Sequence, residues 1–298
     1  MKVGLLVNPT SGKGRGKHIG ETTDARLREE GFDVVPIIGR DGPHARELID
    51  HELKSGIDAL VAVGGDGLAN IAVNALAGGQ VPLGVVPAGT GNDLATGLAL
   101  PTNDPGAVID LIVTAMRNGS SRAVDAVHVI GPETDRWFAC VLGSGFDSVV
   151  NETANRLRWP KGPQRYNVAI AMELPRFKPI AFEITVDGVS YSGPAMLVAL
   201  GNAKSYGGGI KITPDAEMDD GLMDVCILAP VKKFEMVKTL PKARTGSHIP
   251  HPQITIVRGR EVTLDAPGVV AYADGERFGP LPITCTSVAG ALKILSAQ

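Results

Sequence analysis

Residues 62–70 read AVGGDGLAN. An apolar run over 58–63 ends in Gly64-Gly65-Asp66-Gly67, and a helix-like pattern follows. Strand, glycine turn and helix in that order form the unit of an open α/β sheet, which binds its ligands at the carboxyl ends of its strands. Backbone N–H groups exposed by glycine, with the positive end of the next helix, suit phosphate oxygens. Leu68 is the odd member, because an apolar residue stands where a hydroxyl would help to hold a phosphate.

The same unit recurs on both sides of this stretch. NPTSGKGRGK (8–17) follows the strand-like KVGLLVN, and PAGTGND (87–93) follows PLGVV. Taken singly, each glycine loop reads as a plain turn. Three on one sheet edge read as a phosphate site. The first loop is not a Walker A loop, since Ser11 occupies the position of its first glycine and His18 that of its Ser/Thr. Around the loops, helical patterns cover 15–30, 43–56, 68–77, 92–100 and 104–116, and FDVVPII supplies another strand. The Val/Leu-rich strands fit a parallel sheet covered on both faces. Residues 1–125 are therefore expected to form a doubly wound α/β domain.

Beyond residue 125 strands dominate: AVDAVHV, RWFACVLG, IAFEITV, YSGPAMLVAL, GLMDVCIL, ITIV, EVTLDA and VVAYA. Helical patterns interrupt only near 147–157 and 163–174. The expectation is a β-rich, sandwich-like second domain over 126–286, with 287–298 returning to the first. A chain of 298 residues suits two domains. Its longest apolar runs fall well short of the ~20 residues that span a bilayer, and Met1-Lys2 leads straight into a strand pattern, so no leader is expected. The three cysteines are widely spaced and read as free thiols in a reducing cytosol. Net charge is −3, unevenly spread. Residues 151–180 carry six Lys/Arg against two Glu, and 231–260 carry seven against one. Basic segments 156–178 and 232–260 on an acidic background suit an anionic membrane face or a plain solvated surface. Exposed edge strands suggest a homodimer. No nucleic-acid partner is expected.

The candidate chemistry is carboxylate chemistry. Asp66, Asp93 and Asp125 each end or follow a strand, so they can converge at one edge, where Mg²⁺ with phosphate is the natural occupant. Two also have a plainer reading: Asp93 as a helix N-cap and Asp125 as a strand-end turn. Asp274-Gly275 lies in VVAYADGERF, a good hairpin with a type I′ turn. PDAEMDDGLMDV is an acidic surface loop or a cation site. The six histidines show no zinc spacing, and GSG at 143–145 lacks the nucleophile-elbow spacing.

With these loops in place the sequence resembles the diacylglycerol kinase catalytic-domain family, in particular the bacterial lipid kinases related to sphingosine kinases. NPTSGKG, GGDG, PAGTGNDLA, GNAKSYGGGIKITPDAEMDDGLMDV and ADGE occur in the family's order and cover nearly the whole chain. The resemblance implies an ATP-binding domain, a lipid-binding domain and an active site between them. It implies that Asn8, Ser11, Gly12, Gly65, Asp66, Gly67, Gly89, Thr90, Gly91, Asn92 and Glu276 serve the nucleotide. It implies a Mg²⁺ network of Asp66, Asp93 and Asp125, and Asp274 as the base that takes the lipid hydroxyl proton. Glu217, Asp220 and the Leu222 carbonyl would hold a structural Mg²⁺. The family's second loop reads GGDGT, so Leu68 departs from it, and a threonine there is expected to alter ATP affinity. The implied activity is ATP- and Mg²⁺-dependent phosphorylation of a diacylglycerol-like lipid to a phosphatidic-acid-type product, by a cytoplasmic enzyme peripheral to the inner membrane face. A sphingoid base, ceramide or NAD as acceptor, or a non-catalytic lipid or nucleotide sensor, are the competing readings.

Overall fold

The computed structural model describes residues 1–160, 162 and 164–296, and of Leu240 the backbone alone. Lys161 of the first basic segment and the last two residues of the returning segment lie outside the described residues.

The first half alternates as its pattern requires. Strands β1 (Lys2–Val7), β2 (Asp33–Ile37), β3 (Ala59–Gly64) and β4 (Leu83–Pro87) are parallel in the order β2-β1-β3-β4. Between them run α1 (Arg15–Glu29), α2 (Gly42–Lys54) and α3 (Asp66–Leu76), followed by the five-residue α4 (Asp93–Gly97) and by α5 (Pro105–Asn118). Every residue of β3 and β4 is buried, as a sheet covered on both faces demands. α2 and α5 start on aspartate caps, Asp41 and Asp104, whose side chains accept N–H groups of the first turn.

β5 (Arg122–Gly131) begins the second half. β6 (Thr134–Phe138), β7 (Val141–Gly145), α6 (Phe146–Arg156), α7 (Gln164–Glu173), β8 (Ile180–Val186), β9 (Val189–Ser190), β10 (Gly193–Ala195) and β11 (Leu197–Gly201) follow. Then come β12 (Met223–Leu228), α8 (Lys233–Ala243), β13 (Ile254–Gly259), β14 (Glu261–Asp265), β15 (Val270–Ala273), β16 (Glu276–Pro280) and β17 (Ile283–Ile294). An antiparallel sheet, β13-β12-β11-β7-β15-β16, faces the β8-β14-β17-β5 part of the large sheet across a shared apolar core. This is a β-sandwich built onto the end of the α/β sheet.

Two strands join the halves. In β5, Val124 and Ala126 belong to the α/β core while Val127 and Val129 belong to the sandwich core. In β17, Ile283 and Cys285 pack in the sandwich, and Leu292 and Ile294 pack in the α/β core. Ile294 pairs in parallel with Leu83 of β4. The change of core thus falls inside strands rather than in a linker.

Two expectations need correction. RWFACVLG is not one strand: Ala139 and Cys140 break it into β6 and β7. The segment over 232–260 contains the helix α8, which the basic composition concealed.

Candidate active site

The three glycine loops meet because their backbones touch. A Cβ on Gly89 would lie 2.5 Å from the Cα of Gly65, and one on Gly65 3.1 Å from the Cα of Gly89, so the close approach of the second and third loops requires glycine at 89 and is crowded by any side chain at 65. Gly12, at φ 56°, packs on the carbonyl of Ala88, and Arg15 Nη2 donates to the carbonyl of Gly89 at 3.1 Å, fastening the first loop to the third. The Oδ1 of Asn8 accepts the Thr10 N–H and hydroxyl at 3.1 and 2.8 Å. Ser11 Oγ would stand 3.9 Å from a Cβ on Gly65. Within the third loop, Asn92 is left-handed at φ 56°, and its Oδ1 accepts the Gly89 N–H at 2.9 Å. Thr90 is exposed and Gly91 packs against the Asp66 carboxylate.

Asp66 opens α3, on Gly65 as N-cap, and no side chain caps this helix end. Its first-turn N–H groups are thus free for an anion. The Asp66 carboxylate turns to the third loop, accepting the N–H groups of Asp93 at 2.6 Å and Asn92 at 3.2 Å. Burial pushes its pKa up and those N–H groups pull against the shift. Asp93 is buried and is not an N-cap. Its two oxygens accept the N–H groups of Gly207 at 2.7 Å and Gly208 at 3.0 Å. Burial, then repulsion from Asp66, raises its pKa to about 6 against the pull of the two glycines.

Asp274 arrives from the far side of the cleft. β15 and β16 form the expected hairpin, with Asp274 at φ 51° and Gly275 at φ 83°, both left-handed as a type I′ turn requires. The turn aims the carboxylate at the break between β6 and β7, where it accepts N–H groups of Ala139, Cys140 and Val141 at 2.9–3.2 Å. Burial raises its pKa to about 6, the three N–H groups oppose this, and Asp66 adds repulsion. Asp66, Asn70, Asp93, Cys140 and Asp274 share one small pocket of about 10 Å³ with Ala69, Val73 and Leu94, about the room that one water needs. The next residues of the hairpin reach the same helix end: Glu276 Oε1 would lie 3.2 Å from a Cβ on Gly67.

Asp125 does not join them. It is buried, and its oxygens accept the N–H groups of Gly221 at 2.6 Å and Gly290 at 2.8 Å, which ties β5 to the DDGL loop and to β17. The second cation loop lies apart from this pocket. Asp220 accepts the Leu222 N–H at 3.0 Å and pairs with Arg258, which reaches Asp224 at 2.9 Å, while Glu217 is exposed. Leu68 is buried, its side chain packed on Gly64 in the α/β core. A threonine there would put a hydroxyl into that packing.

Sequence reasoning missed Asn70, Gly207 and Gly208. The glycine run at 207–209, all at positive φ, was the available signal for the last two. For Asn70 the signal was its place in the glycine-loop motif, four residues after Asp66.

Family models add an independent comparison. Residues 2–129 match the diacylglycerol kinase catalytic domain, and residues 140–296 match the YegS C-terminal NAD kinase beta sandwich-like domain. Over 296 residues the chain is 38% identical to a diacylglycerol kinase of Mycobacterium tuberculosis, covering 99% of this chain and 94% of that protein. A Staphylococcus aureus diacylglycerol kinase is 31% identical over 284 residues, 93% of this chain and 87% of its own. The chain belongs to the diacylglycerol kinase family. Membership makes it an ATP-dependent lipid kinase. A putative diacylglycerol kinase structure from Bacillus anthracis superposes with a TM-score of 0.79 at 22% identity, over 99% of this chain and 97% of that one. An NAD kinase from Archaeoglobus fulgidus superposes at 0.58 with 16% identity, over 99% and 94%. Both likenesses are of fold. In this kinase-family frame the loops of one half and the hairpin of the other form a single cleft.

Proposed function

We propose that the chain transfers the γ-phosphate of ATP to the hydroxyl of a diacylglycerol-like lipid, leaving ADP and a phosphatidic-acid-type product. The convergence of Asp66, Asp93 and Asp274 on one pocket below three glycine loops carries this reading. Phosphoryl transfer needs positioning, neutralised charge and one acceptor for the nucleophile's proton. The first-turn N–H groups of α3 and the loops around Gly12, Gly65, Gly67 and Gly89 suit the phosphates, with Asn8, Ser11, Thr90, Gly91, Asn92 and Glu276 at their rim. Asp274 is the acceptor. The hydroxyl oxygen bonds to the γ-phosphorus, the bond from that phosphorus to the β-bridging oxygen breaks, and the hydroxyl proton passes to Asp274. Raised to about 6, Asp274 is ionised at neutral pH yet more basic than an exposed aspartate.

The residues fit a divalent cation. Asp66 and Asp93 repel one another, and each of their oxygens spends one lone pair on a backbone N–H and keeps another. No three His, Cys, Asp or Glu side chains gather as a metal cage among the described residues, and Mg²⁺ commonly takes only one or two carboxylates beside water and phosphate. Bound there, Mg²⁺ would neutralise charge on the transferring phosphoryl oxygens. Beside the Asp274 hairpin a cavity of about 560 Å³ has Val149, Ile180, Val269 and Val270 in its walls and Glu152 and Arg277 at its edge. That is within the usual size of a small-molecule site and suits the glycerol end of a lipid.

The test is transfer of labelled phosphate from ATP to diacylglycerol, monoacylglycerol, ceramide, sphingosine and NAD, with wild type beside Asp274→Asn. The expected result is a labelled diacylglycerol and a loss of about 100-fold or more in the variant. Label on NAD alone would refute the lipid reading, and full activity in the variant would refute the base.

A further inference from the structure

Asn70 lies on α3 one turn beyond Asp66 and is 2% exposed. Neighbours whose roles are unambiguous set the orientation of its amide. The backbone N–H of Trp137 donates to Asn74 Oδ1 at 2.8 Å, so Asn74 presents Nδ2 as a donor in the other direction. That Nδ2 donates to Asn70 Oδ1 at 3.2 Å. Arg136, which has donors only, gives Nη2–H to the same oxygen at 3.0 Å. Exchanging the Asn70 oxygen and nitrogen would set N–H against N–H twice. One orientation remains, and it leaves Nδ2 fully buried without a partner in a residue that lines the pocket of Asp66, Asp93 and Asp274.

An unmade amide donor is costly in a buried site. The pocket's other polar lining is three carboxylates and the Cys140 thiol, a poor place for the oxygen that attacks phosphorus. That oxygen gains negative character as its proton leaves for Asp274, and a donor aimed at it binds more tightly in the transition state than in the ground state. We propose that Asn70 is a catalytic residue whose Nδ2–H donates to the acceptor hydroxyl oxygen. One lone pair of that oxygen meets the phosphorus, the other accepts from Asn70, and the O–H points to Asp274. This rests on the kinase reading above.

Asn70→Asp removes the donor and keeps an oxygen for Arg136 and Asn74 but adds a charge beside three carboxylates, so Asn70→Ala, which adds none, is measured with it. Turnover on diacylglycerol falls about 100-fold or more, the usual scale for one lost transition-state donor, while KM for ATP stays within a few-fold. Asn74→Ala is the control: it weakens the same brace between α3 and β6 without touching the pocket, so it melts lower and keeps turnover within about threefold. If Asn70→Asp does not fold, Asn70→Ala is read against Asn74→Ala in the same way. Turnover of either Asn70 variant within threefold of wild type, or an equal loss in Asn74→Ala, overturns the proposal and leaves the kinase reading standing. A wild type that labels no acceptor hydroxyl overturns both.

Discussion

Asp274 holds a left-handed φ of 51° and a buried charge on three backbone N–H groups. The turn and the catalytic readings of this residue are one fact, since the hairpin is what aims the carboxylate. Its raised pKa has two consequences. As pH falls through about 6, Asp274 takes up a proton and no longer accepts one, so kcat/KM should show an acid limb with its midpoint there. Stability moves the other way. An unfolded aspartate titrates near ~3.9, so between that value and about 6 the folded chain binds more protons than the unfolded one, and this group's contribution to stability grows as pH drops. The ligand-free melting temperature should gain more from pH 7.5 to 5.5 in wild type than in Asp274→Asn. Leu68 belongs to the same scale. Buried against Gly64, it loses packing and buries a hydroxyl when changed to threonine, at a cost of about 1–3 kcal/mol. Denaturant melts of Leu68→Thr should show that loss, with KM for ATP within about twofold of wild type.

At the scale of elements, periodicity made the α/β half legible, because each amphipathic helix and continuous apolar strand there carries its own signal. It failed where a tertiary partner decides. The apolar run over 136–143 has no breaker, yet it is interrupted because the amides of Ala139 and Cys140 turn to Asp274, 135 and 134 residues away. α8 escaped notice because few of its described side chains are buried and Pro241 lies within it. Contact between loops is likewise invisible locally. Gly89→Ala should force the second and third loops apart, lower the melting temperature and raise KM for ATP about tenfold or more. Gly67→Ala meets only the flexible end of Glu276, at 3.2 Å, and should change both far less. Equal effects in the two variants would show that closure of the loops on each other is not what matters.

For the whole molecule, we propose a membrane contact narrower than the two basic segments. Arg258 is engaged by Asp220 and Asp224, whereas Trp159 is 81% and Phe234 66% exposed. α6, α7 and α8 share one small apolar core. Met172 and Val237 are exposed on α7 and α8, with Arg156, Arg158, Lys232, Lys233 and Lys238 exposed nearby in the chain. No helix among the described residues is long and apolar enough to cross a membrane, so attachment by this face would be peripheral. The double variant Trp159→Ala/Phe234→Ala should weaken sedimentation with anionic vesicles about tenfold while sparing activity on a dispersed short-chain diacylglycerol. Unchanged sedimentation would move the contact elsewhere.

The sequence by itself determined the family and most elements of the α/β half, since glycine loops, strand periodicity and the ordered motifs are local properties. Only the tertiary structure decided which carboxylates meet. Asp125, expected at a strand end as Asp66 is, lies within β5, where the N–H groups of Gly221 and Gly290 claim it, while Asp274, more than two hundred residues from Asp66 in the chain, fills the pocket. A buried carboxylate goes where backbone N–H groups can offset its desolvation, and which amides lie free there depends on how β5, β17 and the β15–β16 hairpin cross. The Asn70 amide is oriented in the same way, by side chains that no local pattern brings together.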